Sequence, residues 1–254
     1  VVPMLNHSGG LQLFNAEVTG ITHDKLRPRI SQTASSLWMI YISLTAILFL
    51  LLLAGPMDLF DAICHTLSTT ATGGFSTKNM SVMHWDSAYI NTVITIFMYV
   101  CGINFALLYK FTRGDRESLF KNDIFRWYTA ILLVMSIIVA ADYIMQENGR
   151  DWPHLIVKGF FSVISASSSS GFAAIEYEKY GPIVAVVIFL VMIFGSCAGS
   201  TSGGAKIDRL VLMLKNVRIE LYRVLHPNTV EIIRINGKPV TRDSFAKTVA
   251  FLSI

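Results

Sequence analysis

Three stretches of the chain carry no Asp, Glu, Lys or Arg: 28 residues between Arg29 and Asp58, 23 between Asp86 and Lys110, and 26 between Lys179 and Lys206. Each exceeds the roughly 20 apolar residues that a helix needs to cross the hydrocarbon core of a bilayer. A fourth apolar run, 127–141, has 15 residues and reaches across if Arg126 and Asp142 extend to opposite headgroup layers. The pattern predicts an all-α, polytopic membrane protein.

Two connections between these runs are too apolar for plain loops and too short to span. Residues 62–77 and 159–175 are uncharged. Each region opens with helix-like apolar spacing (Leu59, Ile63 and Leu67; Leu155, Ile156, Phe160 and Val163), then becomes Ser, Thr, Ala and Gly ending in Gly-Phe. This predicts a short helix that enters the membrane, followed by an extended strand that returns. Non-helical backbone at that depth is tolerated only against protein or a water-filled cavity. Lining an aqueous pore meets that condition: Gly permits the backbone angles, and carbonyl and hydroxyl oxygens can replace the water of a dehydrated alkali cation. One such segment reads equally well as a Ser/Thr-rich surface loop or a close helix-packing face.

There are two, however, and they are copies. A shift of 97 residues lays Gly74-Phe75 on Gly171-Phe172, Leu67-Ser68 on Ile164-Ser165, Phe97 on Phe194 and Gly102 on Gly199 without a gap. The repeated unit is span, re-entrant helix, filter-like strand, span, and ion sites in repeat transporters lie where repeats meet. The expected division is 1–34, a cytoplasmic segment from a preceding unit; 35–109, one pore-loop unit; 110–123, a cytoplasmic linker; 124–224, a second unit; and 225–254, a cytoplasmic connection and the start of a further unit. Two units cannot encircle a pore, so either the chain dimerises or more units adjoin it. Val1 at the start and an apolar segment that stops at Ile254 read as cut ends, with an amphipathic tail as the alternative for the latter.

Charge adds an orientation. Alternate spans put 17 of the 21 Lys and Arg on one side and leave Lys78, Arg150, Lys158 and Lys179 on the other, so the rich side is expected to be cytoplasmic. The net charge of +4 is thus a matter of topology and gives no reason to expect nucleic acid as a partner. Outer acids (Asp58, Asp61, Asp86, Asp142, Glu147, Asp151, Glu176, Glu178) would enrich cations at the mouth, though Asp58 and Asp61 suit the N-terminus of the short helix equally well. Cys64, Cys101 and Cys197 have no metal-ligand or redox spacing.

The last span of the second unit is interrupted by a Gly- and Ser-rich run, from Gly195 to Lys206, that cannot hold a stable helix. The corresponding stretch of the first unit, 98–109, has no such run. A kinked packing helix is the plain alternative. A phosphate-binding loop does not fit, because Ile207 rather than Ser or Thr follows Lys206.

The segments Ala71–Thr77 (ATGGFST) and Ser167–Ala173 (SSSSGFA) resemble the second and third filter segments of the Trk/Ktr/HKT potassium transporter superfamily. Residues 10–20, 25–30, 58–69, 197–209 and 225–228 resemble its TrkH-type potassium uptake subunits in the same order, so the resemblance covers essentially the whole chain. It implies a chain holding the second and third repeats and the start of the fourth. The third-repeat filter is all serine here, where threonines are frequent in the family.

The resemblance further implies that the potassium ion is the substrate, held by filter carbonyls alone at Ala71, Thr72, Gly73, Gly74 and Phe75 and at Ser168, Ser169, Ser170, Gly171 and Phe172, with no organic cofactor. It implies an intramembrane gate made of Gly195, Ser196, Gly199, Ser200, Thr201, Ser202, Gly203 and Gly204, with Lys206 at its cytoplasmic edge. Homodimerisation, a cytosolic nucleotide-binding regulatory subunit, contact with membrane lipid and a multi-pass place in the bacterial inner membrane follow by the same resemblance. Two other functions stay open: a proton- or sodium-coupled symporter, and an intramembrane hydrolase using Ser167–Ser170 or Ser200 with His65, His84 or His154.

Overall fold

The computed structural model describes residues 30–147, 151–176, 179–226, 233–240 and 248. The motifs at 10–20 and 25–29, most of 225–228 and most of 241–254 lie outside the described residues. Helix α1 (Ile30–Leu53) has no charge in its first or last turn and stops ahead of Gly55-Pro56, where proline bars continuation. Helix α2 (Leu59–Thr70) follows. At 12 residues it is about 18 Å long, well short of a hydrocarbon core of about 30 Å. An extended segment returns from it to a 3-10 turn (Ser81–Trp85) and helix α3 (Ala88–Cys101).

The chain then bends by 102° into α4 (Phe105–Thr112). The bend is made at Gly102–Asn104, and Asn104 caps α4 by accepting the Ala106 and Leu107 amide N–H groups. A break was not expected here, because residues 98–109 lack the glycine run of their counterpart; a single Gly followed by an N-cap Asn is enough to make one. Helix α5 (Arg116–Phe120) forms the polar connection to α6 (Asp123–Gln146).

The pattern recurs with α6, then α7 (Trp152–Ser167), an extended return, α8 (Pro182–Phe194), the loop 195–206 and α9 (Ile207–Leu225). By length and composition, residues 33–53 and α6 can each cross a membrane, and the α3–α4 pair is long and apolar enough for a third crossing if its two bent halves form one span. Helix α8, at 13 residues, is apolar but only about 20 Å long, shorter than a hydrocarbon core of about 30 Å. A hairpin of β1 (Arg234–Ile235) and β2 (Lys238–Pro239) was not foreseen. Asn236 and Gly237 take positive φ in its turn, as a two-residue hairpin requires, and Asn236 docks on the amide of Asp123 (2.7 Å).

Helix α2 turns its regularly spaced apolar residues outward. Leu59, Ile63 and Leu67 are exposed, while Asp61, Ala62, His65, Thr66, Thr69 and Thr70 are buried. In a membrane protein the interior is where polar groups find partners and the outside is apolar. Helix α7 packs along α6 and α3, so the two units interleave. The closest approach is at Gly159, where a Cβ would stand 2.8 Å from the Cα of Ala140. Gly159→Val therefore forces α6 and α7 apart; a loss of about 1–3 kcal/mol is expected from such overpacking, measurable as a lower thermal midpoint of the detergent-solubilised full-length protein.

Candidate functional site

The two short helices end in the same way. Ala71 and Ser168 keep right-handed helical angles; Thr72 (φ 53°) and Ser169 (φ 59°) turn left-handed; Gly74 and Gly171 both stand at φ 70°. A serine at equivalent positions pins each strand to its helix. The hydroxyl of Ser68 accepts the Phe75 N–H (2.7 Å), and that of Ser165 donates to the Phe172 carbonyl (2.9 Å).

The strands are brought edge to edge. A Cβ built on Gly74 would fall on the carbonyl oxygen of Ser170, whereas one on Gly171 would meet nothing within 4 Å. Among the described residues no hydrogen bond reaches the main-chain oxygens of Thr72, Gly73, Gly74, Ser168, Ser169, Ser170 or Gly171. Phe75 is 80% exposed while Phe172 is fully buried.

The loop between α8 and α9 lies directly against both strands. Thr72 donates its hydroxyl to the Thr201 carbonyl (2.9 Å). Ser167 is a hub: its hydroxyl donates to Gly195 O (2.9 Å), and its carbonyl accepts the hydroxyls of Ser196 (3.0 Å) and Ser202 (3.2 Å). The neck closes backbone against backbone: Gly195 and Gly204 both have positive φ, and a Cβ on Gly204 would stand 2.9 Å from the Cα of Gly195. The Lys206 ammonium folds back to donate to the Ser202 carbonyl. Ser200 donates to the carbonyl of Cys197 (2.6 Å).

From the other side the bend of the first unit clamps the same loop. Asn104 donates to Ala198 O (2.6 Å), Phe105 N–H to Gly199 O (3.0 Å), and Cys197 N–H to Gly102 O (3.1 Å). The buried carboxylate of Asp208 accepts the Ala198 N–H (2.5 Å). Gly102, Asn104, Ser167 and Asp208 were not among the residues singled out from the sequence for the loop. Only the Gly102–Gly199 alignment hinted that the two breaks belong together.

Three of the acids expected on the outer side are paired with lysine. Lys78 meets Asp61 (3.1 Å), Lys158 meets Asp86 (3.0 Å) and Lys179 meets Glu176 (2.6 Å), so these three add less negative potential at the mouth than unpaired acids would. Asp58 occupies the N-cap position of α2 without a side-chain bond. Instead of capping α2, the Asp61 carboxylate is held by Thr77 (2.6 Å) and Lys78. A cavity of about 360 Å³ is lined in part by Asp86, Glu147, His154 and Lys158.

The hydrolase alternative has no geometry. The histidine that bonds a serine is His65, to Ser76, and among the described residues neither Ser167–Ser170 nor Ser200 has a histidine partner.

The hydrogen bond from Thr77, with help from Lys78, holds the Asp61 carboxyl below its ordinary value of 3.8. A lowered carboxyl stabilises the fold above its unfolded value and loses that contribution as pH falls through the folded one. Thermal midpoints of the wild type and Asp61→Asn are therefore expected to differ at pH 7 by the equivalent of about 1.5–3 kcal/mol, the range for hydrogen bonds to a charged group. The two should converge as the pH is lowered below 4.

Comparison with known proteins returns the same architecture. The family described as TrkH, cation transport protein, matches residues 1–123 and 151–254. The Trk system potassium uptake protein TrkH of Escherichia coli K12 is 35% identical over 240 residues, covering 94% of this chain and 50% of that protein. TrkG of the same organism is 31% identical over 244 residues, covering 95% and 50%. The crystal structure of the potassium transporter TrkH from Vibrio parahaemolyticus superposes with a TM-score of 0.86 at 28% identity, over 96% of this chain and 52% of that one. The chain spans about half the length of the curated relatives it matches. Paired re-entrant helices, interleaved spans and agreement over nearly its whole length place it: this chain belongs to the TrkH family of cation transport proteins.

Proposed function

We propose that the chain supplies two adjoining pore units of a potassium uptake protein, with the carbonyls of 71–75 and 168–172 as filter and residues 195–204 as gate. The observation that carries this is the row of main-chain oxygens at 72–74 and 168–171 that accept no hydrogen bond among the described residues, on two strands that meet at Gly74 and Ser170; the Ala71 and Phe172 carbonyls each accept a hydroxyl. Such oxygens at membrane depth are unsatisfied unless a cation or water fills the place. Exposed Phe75 fits a further pore unit beside the first strand, as a protein twice this length would provide.

The loop suits a gate because it is bonded to the strands by a few neutral hydrogen bonds, each worth about 1 kcal/mol, so it can leave without large cost. It runs straight into α9, which carries basic residues Lys215, Arg218 and Arg223. A cytosolic nucleotide-binding partner pressing on α9 would reach the loop directly. Homodimerisation and insertion in the bacterial inner membrane complete the proposal. A proton- or sodium-coupled symporter would need a titratable site along the path; the buried carboxylate nearest the loop, Asp208, is occupied by the Ala198 amide. Full-length protein in proteoliposomes decides between them: a channel gives current that reverses at the potassium equilibrium potential, and a coupled carrier shifts the reversal with pH or sodium.

Rubidium uptake by full-length protein in cells without other potassium uptake tests the filter. Gly74→Ala must displace Ser170 and is expected to lower uptake by about tenfold or more, while Gly171→Ala meets only backbone strain of about 1–3 kcal/mol and is expected to lower it less. Uptake unchanged in both would remove the filter. For the gate, Ser202→Ala deletes a bond to Ser167, and regulator-free uptake is expected to rise by about fivefold, the equivalent of one hydrogen bond; unchanged flux would count against it.

A further inference from the structure

We propose that His65 is a positioning residue for ion selectivity, setting the spacing between the two filter strands; this rests on the filter assignment above. His65 lies on the inner face of α2 and is fully buried. Its Nδ1 is 2.8 Å from the carbonyl oxygen of Asp61, and its Nε2 is 2.9 Å from the hydroxyl of Ser76. A carbonyl only accepts, so Nδ1 carries the proton and Nε2 accepts from Ser76. The Ser76 oxygen in turn accepts the Lys78 N–H (3.1 Å), which leaves the hydroxyl proton free for the imidazole. Ser76 directly follows Phe75 and is the outer end of the first strand.

The ring faces are equally committed. Trp85 stands edge-on at 5.0 Å, and Phe172, the outer residue of the second strand, stacks at 5.8 Å and 23°. Phe172 is itself pinned through its carbonyl by Ser165. One rigid imidazole thus spans from Ser76 of one strand to Phe172 of the other, and the distance between the strands decides which cation their oxygens fit.

Generic repeat packing does not require this imidazole. The residue 97 positions later is Ser162, which donates to the Lys158 carbonyl (2.8 Å) and accepts the Tyr143 hydroxyl (3.2 Å) and, among the described residues, bonds neither strand. The imidazole belongs to the first unit alone, where it meets the strand of the second.

The test measures the ratio of rubidium to sodium flux by full-length protein in proteoliposomes, a ratio independent of how much protein is incorporated. His65→Asn keeps a donor toward Asp61 but cannot reach Ser76; Ser76→Ala removes the partner without touching α2; His65→Gln restores an amide group near the Nε2 position. The ratio is expected to fall about fivefold in His65→Asn and in Ser76→Ala, the effect of one lost hydrogen bond, and to recover in His65→Gln. A wild-type ratio in Ser76→Ala overturns the proposal, and this arm decides even if His65→Asn fails to fold. Gly74→Ala separates the two levels. If it too leaves flux and ratio unchanged, the filter itself is wrong; if it collapses flux while Ser76→Ala keeps the ratio, only the role of His65 falls.

Discussion

A main-chain carbonyl in an apolar surrounding must find a donor, a water or a cation, and the rest of this molecule is organised around two strands whose main-chain oxygens at 72–74 and 168–171 accept no hydrogen bond among the described residues. Two helices stop short of crossing so that their C-terminal strands can lie in the interior. A serine in the last turns of each, Ser68 and Ser165, fixes the strand to its own helix. Left-handed angles at Thr72 and Gly74, and again at Ser169 and Gly171, turn the chain back so that its amides at Gly73 and Gly171 bond the Ser68 and Ser165 carbonyls of the helix.

The same constraint explains the orientation of α2. Its polar side is buried and its leucines are exposed; Asp61, His65 and Thr70 find partners there, while the Thr66 and Thr69 hydroxyls have none among the described residues. Asp61 holds the returning chain through Thr77 and Lys78, and His65 holds it through Ser76. Helix α7 carries no charge in its first turn and buries Phe161 and Val163 instead. The repeats share a backbone and differ in what braces it.

Beneath the strands, two broken helices act as one object. The glycine- and serine-rich loop of the second unit is held from above by Thr72 and Ser167 and from the side by Gly102 and Asn104 of the first. Its contacts to the strands are neutral hydrogen bonds. Charged groups hold it near either end, the Asp208 carboxylate on the Ala198 N–H and the Lys206 ammonium on the Ser202 carbonyl, and the flanking helices are anchored in apolar packing that includes Val191, Ile207 and Leu212. The loop runs directly into α9, which begins at Ile207.

Sequence alone determined the class: charge-free runs of spanning length, the 97-residue repeat with its Gly-Phe pairs, and the helix-breaking run at 195–206 all follow from local composition and period, which need no knowledge of neighbours. It also held a signal that was not taken up, Asn236-Gly237 between short strands. Tertiary structure alone decided which face of α2 turns inward, because amphipathic spacing identifies a face but not its solvent. It alone closed Gly74 against Ser170 and left Gly171 open, broke the first unit at Gly102, and placed His65 between Ser76 and Phe172. Those outcomes depend on contacts between residues about 100 positions apart, where small differences in packing rather than local preference choose the arrangement.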